Sequence, residues 1–366
     1  MTGVPSLTST IGFTQGILGT RQELTELQKA LGTGIKSDTY AGLGSDRTLA
    51  LSMKDRVATL ESYQSSIQTV LLRLDVMQLS VSRFDEIVDT AKVEIGSGGF
   101  DFASSNQTLA QEYASSFFSE AVSVLNVDVG GRHLFAGRAV DQRPIEIPDV
   151  ILEGDGTRAG LETLAAERKL ADAGADGRGR LTLGATVDSI TLDEDGDHPF
   201  GFKLTSITTD VTGAVVTAPG ATQPRSAAVQ LTALPADGQE INIFLDLPDG
   251  TQERVTLTAH DSLAALSAPG PGDFEIGPDL PTTLANLQTA MENAIEDRAY
   301  THLQSASTVR ASRDFFAADA DNPPMRVDGP PFETATTMVA GTAADTVIWY
   351  TGENGALDAR DTAIVR

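Results

Sequence analysis

The sequence predicts a multidomain α+β protein, in which a long, antiparallel, coiled-coil-like helical rod carries an inserted, mainly β domain with one or two helices of its own. Three observations predict this class. A seven-residue apolar repeat runs through about 50 residues of the N-terminal third. After Gly130-Gly131 the composition shifts to Thr, Val, Gly, Asp and Pro in short alternating stretches. The length of 366 residues also exceeds what one simple core usually organises.

The first predicted helix spans about Pro5 to Leu31. Apolar residues at the spacing of a helical stripe give it a candidate subunit interface, formed by Ile11, Ile17, Leu24, Leu27 and Leu31. Gly12, Gly16 and Gly19 weaken its front half, since each glycine costs roughly 1 kcal/mol relative to alanine in a helix. We therefore expect the front half to be partly disordered until a partner orders it. A glycine-rich break from Gly32 to Gly44 ends this helix.

A second predicted helix, from Ser45 to Ile95, carries the strongest pattern in the sequence. It contains neither proline nor glycine, and about 50 residues at 1.5 Å per residue would extend about 75 Å. Its predicted packing seam has two rows with a seven-residue period, namely Met53, Leu60, Ile67, Leu74, Val81, Val88 and Ile95, and then Tyr63, Val70, Met77 and Phe84. A sustained seven-residue repeat requires other long helices alongside. A third predicted helix, from about Ser104 to Asn126, can run antiparallel to it and completes the rod.

Alternating apolar and polar residues after Gly130-Gly131 predict the β domain. The predicted strands lie within Leu181 to Leu192, Phe200 to Thr209, Val229 to Leu234, Glu240 to Leu247 and Glu253 to Ala259. The last two stretches flank Pro248-Asp249-Gly250, which is typical of a hairpin turn.

Helices and a returning strand complete the predicted organisation. Short helices are expected at Leu161 to Leu170 and over Thr301 to Phe316, and between them one helical face is formed by Leu284, Leu287, Met291 and Ile295. Thr346 to Thr351 is expected to be a strand that leads back toward the rod. Four segments result: an N-terminal helix with the glycine-rich break, partly disordered (1–44), the helical rod (45–140), the mainly β outer domain with helices near 282–316 (141–345), and a return strand without a following C-terminal helix (346–366).

The composition argues against several classes of function. The formal net charge of −25 repels phosphate, so we expect no nucleic-acid partner. The absence of cysteine excludes disulfide frameworks, thiolate metal sites and cysteine nucleophiles. No stretch approaches 18 apolar residues, so no membrane insertion is expected. Met1 to Thr20 contains no Lys or Arg, which is not typical of a cleaved signal peptide, so any export is expected to use another route.

No residue pattern predicts catalysis, a metal site or a cofactor. The four histidines, His133, His198, His260 and His302, are far apart in the sequence and are expected to be surface or structural residues. Glycine-rich phosphate-binding motifs and the G-x-S-x-G motif are absent. The acidic run Asp193 to Asp197 resembles half of a calcium loop but lacks the distal glutamate, so we interpret it as a solvated hairpin tip. We therefore expect a protein that is not an enzyme.

Two segments of the sequence resemble the flagellin superfamily. Ala30 to Ser37 looks like the family's break between its first two helices. Asn126 to Ile145 is similar to a segment of the family's hook–filament junction subunits (hook-associated protein 3), and this favours them over flagellin itself. The motif residues are Gly131, Arg132, Leu134, Phe135 and Gly137. The resemblance covers residues 1 to about 145, because the middle domain is variable in this family.

The resemblance implies a structural role outside the cell, in the bacterial flagellum. It implies type III export and then assembly between hook and filament, with the N-terminal helix paired to a C-terminal helix in an inner tube. The implied partners are further copies of the chain, another hook-associated protein, flagellin and an export chaperone. The alternatives are flagellin proper and, from another class, a secreted adhesin or enzyme with a coiled-coil stalk.

The family's C-terminal helix has no counterpart in this sequence. Leu357 to Arg366 looks like the strand that would precede it. We therefore expect a C-terminally truncated sequence, the alternative being a naturally short protein. Without that helix, the seven-residue repeat of the long helix is expected to be partly unpaired.

Overall fold

The computed structural model describes residues 7–97, 108–319 and 322–352. It combines helices, one of them very long, with several sheets, which confirms the mixed α and β class. The chain divides into two compact units, Met1–Leu79 and Ser80–Arg366, and this boundary falls inside the long helix. The expected start of the third helix at Ser104 and the expected strand at Leu357 to Arg366 lie outside the described residues.

Two helices make up most of the first unit. Helix α1 spans Leu7–Thr33, and helix α2 spans Arg47–Ser97 and continues into the second unit. α2 is unbroken for 51 residues, as the scarcity of helix-breaking residues predicts. α1 runs through Gly12, Gly16 and Gly19 as one continuous helix, and the expected disorder of its front half stays a prediction. Its Leu, Gln and Glu residues favour a helix and outweigh the roughly 1 kcal/mol that each glycine costs.

The glycine-rich break lies where the sequence predicts it. Gly34 follows α1 in the left-handed region, with φ of +71°, and its N–H donates to the Ala30 carbonyl at 2.9 Å, which caps the helix C-terminus. A short 3-10 segment, Tyr40–Asp46, then leads into α2. Gly44 within it has φ of +55°, a backbone conformation that residues other than glycine rarely adopt.

Helix α3 spans Leu109–Leu125 in the second unit. A capping box fixes its start, because the Thr108 hydroxyl accepts from the Gln111 N–H at 3.2 Å and the Gln111 side chain accepts from the Thr108 N–H at 2.9 Å. The second-unit part of α2 contacts α3 through Arg83, whose Nε lies 2.9 Å from Glu120 Oε1.

Three sheets are present in the described part of the β domain. Its strands are β1 Leu181–Ala185, β2 Ser189–Glu194, β3 Lys203–Thr209, β4 Ala214–Thr217, β5 Ser226–Leu231, β6 Glu240–Asp246, β7 Gln252–His260, β8 Asp273–Glu275, β9 Met325–Val327 and β10 Met338–Ala340. Two sheets have four strands each, in the orders β1-β2-β5-β4 and β3-β6-β7-β8, and β9 pairs with β10. All pairs are antiparallel except β7 with β8.

The two larger sheets and helix α6 (Leu280–Arg298) share one hydrophobic core. Alternate residues of β6 point inward, and Ile241, Ile243 and Leu245 are completely buried. The predicted face of α6 is confirmed, since each of its residues is buried: Leu284, Leu287, Met291 and Ile295. The predicted turn between β6 and β7 is confirmed as well, with Asp246 paired to Gln252 across it.

Three further helices and an extended segment complete the second unit. They are α4 (Pro148–Glu153), α5 (Leu161–Ala173) and α7 (Gln304–Phe316), which follows α6 through a π-helical turn. The expected strand Thr346 to Thr351 forms isolated bridges instead, with Ala159 at one end and with Ile145 at the other. These two partners lie in different connections, so no continuous ladder can form. We call residues 344–352 the return segment.

Candidate assembly surface and its connector

Helix α1 exposes its apolar side chains to solvent. The predicted interface residues are between 45% and 89% exposed: Ile11, Ile17, Leu24, Leu27 and Leu31. A Cβ atom added at Gly12, Gly16 or Gly19 would meet no atom within 4 Å, so this side of the helix is open as well. Exposed contiguous apolar surface of this kind marks a site of interaction in soluble proteins.

The first-unit part of α2 presents a second exposed apolar surface. The predicted seam residues are between 51% and 65% exposed there: Met53, Leu60, Tyr63, Ile67, Val70 and Leu74. Positions seven apart lie on one side of a helix with 3.6 residues per turn, so these side chains follow one stripe. We call the exposed apolar residues of α1 and of this part of α2 the assembly surface.

The exposure of the α2 side chains decreases near the boundary between the two units. Met77, Phe84 and Val88 of the predicted seam are half-buried, whereas Val81 is exposed. The two buried residues of this stretch are Ser80 and Ile87, seven positions apart and outside the predicted rows. The pattern missed this covered row because it begins with a serine. The side chain of Ile95 lies outside the description.

The segment Asn126 to Ile145, which carries the family resemblance, forms a compact connector after α3. Its start is a two-residue hairpin in which Gly130 and Gly131 have φ of +67° and +75°. Both values fit a type I′ turn, which explains the glycine pair. The Val129 N–H donates to the Arg132 carbonyl at 3.0 Å and closes the hairpin.

The other motif residues of the connector have distinct environments. Arg132 is exposed, while Leu134 and Phe135 are half-buried. The Phe135 carbonyl accepts from the Tyr350 hydroxyl at 3.0 Å. Gly137 has φ of +64°, which favours glycine at this position. The motif therefore shapes the connector and anchors the return segment, with one arginine left at the surface.

Asn126 holds the two ends of the connector together. Its side chain donates to the Ile145 carbonyl and accepts from the Ile145 N–H, both at 3.0 Å, as a paired strand would. Its own carbonyl lies 2.9 Å from Nδ1 of His133. Ile145 is buried, so its backbone groups depend on this side chain for their hydrogen bonds.

We expect Asn126→Ala to lower the free energy of unfolding of the second unit by about 1–3 kcal/mol, because a buried N–H and carbonyl lose their partner. Urea unfolding followed by circular dichroism measures this loss. Asn286→Ala is the control, since its side chain makes a single exposed hydrogen bond to the Glu275 carbonyl at 2.8 Å. Equal losses in the two variants would contradict the assigned role of Asn126.

The return segment packs into a small core that the connector shares. Val122 of α3, Ile145, Phe315 of α7 and Val347 are all buried in this cluster. Trp349 packs edge-on against Phe316 with ring centroids 5.6 Å apart. Its Nε1 donates to the Ala318 carbonyl at 3.0 Å. The connector, α3, α7 and the return segment are thereby joined.

A buried ion pair lies on α5, and no local sequence signal indicates it. Arg168 Nε lies 2.7 Å from Asp172 Oδ2, and both side chains are almost fully buried. Asp172 Oδ1 also accepts from the Gly201 N–H at 2.8 Å. Arg168 donates to the Pro199 carbonyl at 2.7 Å, and its guanidinium lies 4.9 Å from the ring centre of Phe200. The pair thus fixes α5 to the loop before β3.

The interpretation of Asp193 to Asp197 as a solvated hairpin tip is wrong for Glu194, whereas Asp195 and Asp197 are exposed. Glu194 is buried and accepts from the N–H groups of Leu204 at 2.8 Å and Arg225 at 3.0 Å. Asp195 is bound to Arg180 and His198. Alternating carboxylates resemble an exposed turn in sequence. Here Glu194 is held by backbone N–H groups of β3 and of the residue before β5, and Asp195 by the side chains of Arg180 and His198.

Two carboxylates line the surface cleft beside β7 and α6, and both have partners. Glu253 in its lining lies 3.2 Å from Arg298 Nε and 2.8 Å from His302 Nδ1. Asp273 accepts from the Gly270 N–H at 2.7 Å.

Within the described residues, no three His, Asp or Glu side chains are grouped so that they could hold a metal ion. Among the helices of the described ranges, none has both the length and the apolarity needed to span a bilayer.

No protein-family model, curated protein or solved structure matches this chain. Membership of the flagellin superfamily therefore stays a prediction, made from the two sequence segments Ala30 to Ser37 and Asn126 to Ile145. The structure adds the conformation of both segments and the exposure of the assembly surface.

Proposed function

We propose that this protein is a structural subunit of the bacterial flagellum, which joins the hook to the filament by helical self-assembly after type III export. The observation that carries the proposal is the assembly surface, an apolar stripe left exposed along α1 and the first-unit part of α2. A chain with a net charge of −25 has ample polar side chains to cover its surface, so apolar rows on two helices point to helical partners.

We further propose that α1, α2 and α3 become a coiled-coil-like rod when neighbouring subunits cover these rows. The seven-residue spacing supports this arrangement, because it keeps one apolar seam facing a partner along the whole helix. Ser80 and Ile87 of α2 are already buried in the single chain, which suits a part of the rod whose packing does not change on assembly. The apolar rows before them are exposed and remain available to other subunits. The other partners proposed are flagellin, another hook-associated protein and an export chaperone.

The connector supports the junction role over the filament role. Its Gly130-Gly131 turn, its exposed Arg132 and its anchored Phe135 all belong to the segment that is similar to the junction subunits. The proposed location is accordingly extracellular, at the hook–filament junction. No catalytic activity or cofactor is part of this proposal.

Deletion of the encoding gene tests the proposed function. We expect cells that retain hooks but lack filaments and release flagellin into the medium, and restoration of filaments by the intact gene. Immunogold labelling with an antibody against the β domain is expected to mark the junction between hook and filament. Label along the whole filament would identify a filament subunit instead. Label on the cell surface, together with a deletion strain that stays motile, would identify an adhesin. Either result rejects the junction role.

A further inference from the structure

Arg180 links the start of β1 to a part of the β domain that lies far along the sequence. It precedes β1, its φ is +66°, and its side chain is 5% exposed. One guanidinium nitrogen donates to the Glu333 carbonyl at 2.5 Å and the other to the Ala335 carbonyl at 3.1 Å. These acceptors lie in residues 328–337, between β9 and β10, which we call the latch segment. The guanidinium is therefore the polar link between the latch segment and the start of β1.

The charge of Arg180 is balanced by a carboxylate that a histidine shares. Arg180 Nε lies 2.8 Å from Asp195 Oδ2, and His198 Nε2 lies 2.6 Å from Asp195 Oδ1. The Phe200 N–H points at His198 Nδ1 from 3.3 Å, and a backbone N–H can only donate. We assign the proton of the neutral imidazole to Nε2, because Nε2 lies only 2.6 Å from the Asp195 carboxylate, and Nδ1 then accepts from the Phe200 N–H. In this tautomer Arg180 Nη2, which can only donate, faces Nε2 without a hydrogen bond.

The surroundings of His198 disfavour a second proton on its ring. The side chain is 2% exposed, and Arg180 approaches Nε2 to 3.0 Å. Lys203 of β3 adds another positive charge, while the charges of Arg168 and Asp172 on α5 neutralise each other. Burial lowers the pKa of His198 below its ordinary value of 6.5, and Arg180 and Lys203 lower it further, although Asp195 opposes them.

We propose that protonation of His198 opens the latch segment, so that Arg180, Asp195 and His198 form an acid-sensitive latch on the β domain. A proton on Nδ1 removes the acceptor of the Phe200 N–H and places a second cation 3.0 Å from the Arg180 guanidinium. Asp195 then faces two cations, and the Arg180 guanidinium moves away from the Glu333 and Ala335 carbonyls. The open state binds the proton more readily than the closed state, so the closed latch loses stability as the pH falls below about 6.5.

Hydrogen exchange measured by mass spectrometry tests the latch on the full chain. Peptides that cover the latch segment are compared at about pH 7.5 and about pH 5.5, on either side of the ordinary histidine pKa. After correction for the intrinsic pH dependence of exchange, we expect opening of the latch segment to increase about tenfold at the lower pH. Peptides from β6 and β7 are expected to keep their protection, and their simultaneous opening would show global unfolding and overturn the proposal.

Three variants assign the response to one side chain. His198→Gln cannot take up a proton and is expected to abolish the increase, whereas His260→Gln, which removes a half-buried histidine beside Asp273, is expected to keep it. Lys203→Gln removes a positive charge that disfavours protonation of His198 in the closed state. The two states then differ less in proton binding, so this variant is expected to weaken the increase in opening at the lower pH even if His198→Gln folds poorly. An unchanged response in His198→Gln, or an undiminished one in Lys203→Gln, would overturn the proposal.

Discussion

Replacing both Leu60 and Ile67 by aspartate is expected to abolish association of the chain while the second unit stays folded. The two side chains are 65% and 60% exposed in the single chain, so charges at these positions are solvated before assembly. In an assembled rod the same positions face a partner helix. Burying a large apolar side chain contributes about 1.5–3 kcal/mol, so losing two of them weakens association by about 10²–10⁴-fold. Two unpaired charges at the interface weaken it further.

Sedimentation of the purified chain over a range of concentrations measures this effect. The matched control is Ser62→Asp with Thr69→Asp, which places two charges with the same spacing on the same helix, on a side that is turned away from both rows of the stripe. Both residues are exposed and polar, and we expect their replacement to leave association nearly unchanged. A control as defective as Leu60→Asp with Ile67→Asp, or a wild type that stays monomeric at its highest soluble concentration, would argue against the assembly surface.

Asp172→Ala is expected to cost the second unit about 3–5 kcal/mol of stability, because it leaves the Arg168 guanidinium buried without its counter-ion. The Gly201 N–H loses its acceptor in the same variant. A loss of this size is a large fraction of the stability of an ordinary domain, so we expect partial unfolding at physiological temperature. Urea unfolding of the full chain followed by circular dichroism quantifies it.

Helix α7 offers a matched control for this ion pair. Arg310 and Asp314 are also four residues apart on a helix, with Nε and Oδ2 2.9 Å apart, but both side chains remain in contact with solvent. Asp314→Ala is expected to cost less than about 1 kcal/mol, as is typical of surface pairs. Asp172→Asn keeps an oxygen that accepts from the Gly201 N–H, so its loss of stability is expected to lie between those of Asp172→Ala and Asp314→Ala. Equal effects of Asp172→Ala and Asp314→Ala would contradict the importance of burial.

The elements that could be predicted from the sequence are those with a local, repeated signal. The period of α2 and its lack of helix breakers predicted a helix from Ser45 to Ile95, close to the observed Arg47–Ser97. Pro248-Asp249-Gly250 predicted the β6–β7 hairpin, because its turn geometry depends on these residues alone. The apolar face of α6 was equally clear. In each case the pattern and the structure it specifies lie within a few residues of one another.

What covers a helix cannot be deduced from its period. The same seven-residue repeat continues from Leu60 to Val88, yet the first-unit part is exposed and the later part is half-covered. The covered row includes Ser80, which an apolar pattern does not register. The predicted seam therefore stays a prediction about an assembly of chains, since the single chain leaves most of its first half in solvent.

The polar clusters lay beyond local sequence analysis for a different reason. Arg180 binds carbonyls of residues 153 and 155 positions later, and Arg168 and Asp172 act on the loop before β3. Charged residues at such separations give no periodic signal. Asp195 was consequently assigned to solvent, although its carboxylate is shared by Arg180 and His198.

The packing of Trp349 has a practical consequence, because it is the chain's single tryptophan. Its indole hydrogen bond to the Ala318 carbonyl and its contact with Phe316 make its fluorescence a reporter of one place, where the return segment meets the end of α7. Emission excited selectively at this indole will be silent about α1 and the first part of α2. If tryptophan fluorescence and circular dichroism change at different denaturant concentrations, the two signals would distinguish unfolding of the first unit from unfolding of the second unit, which contains the indole.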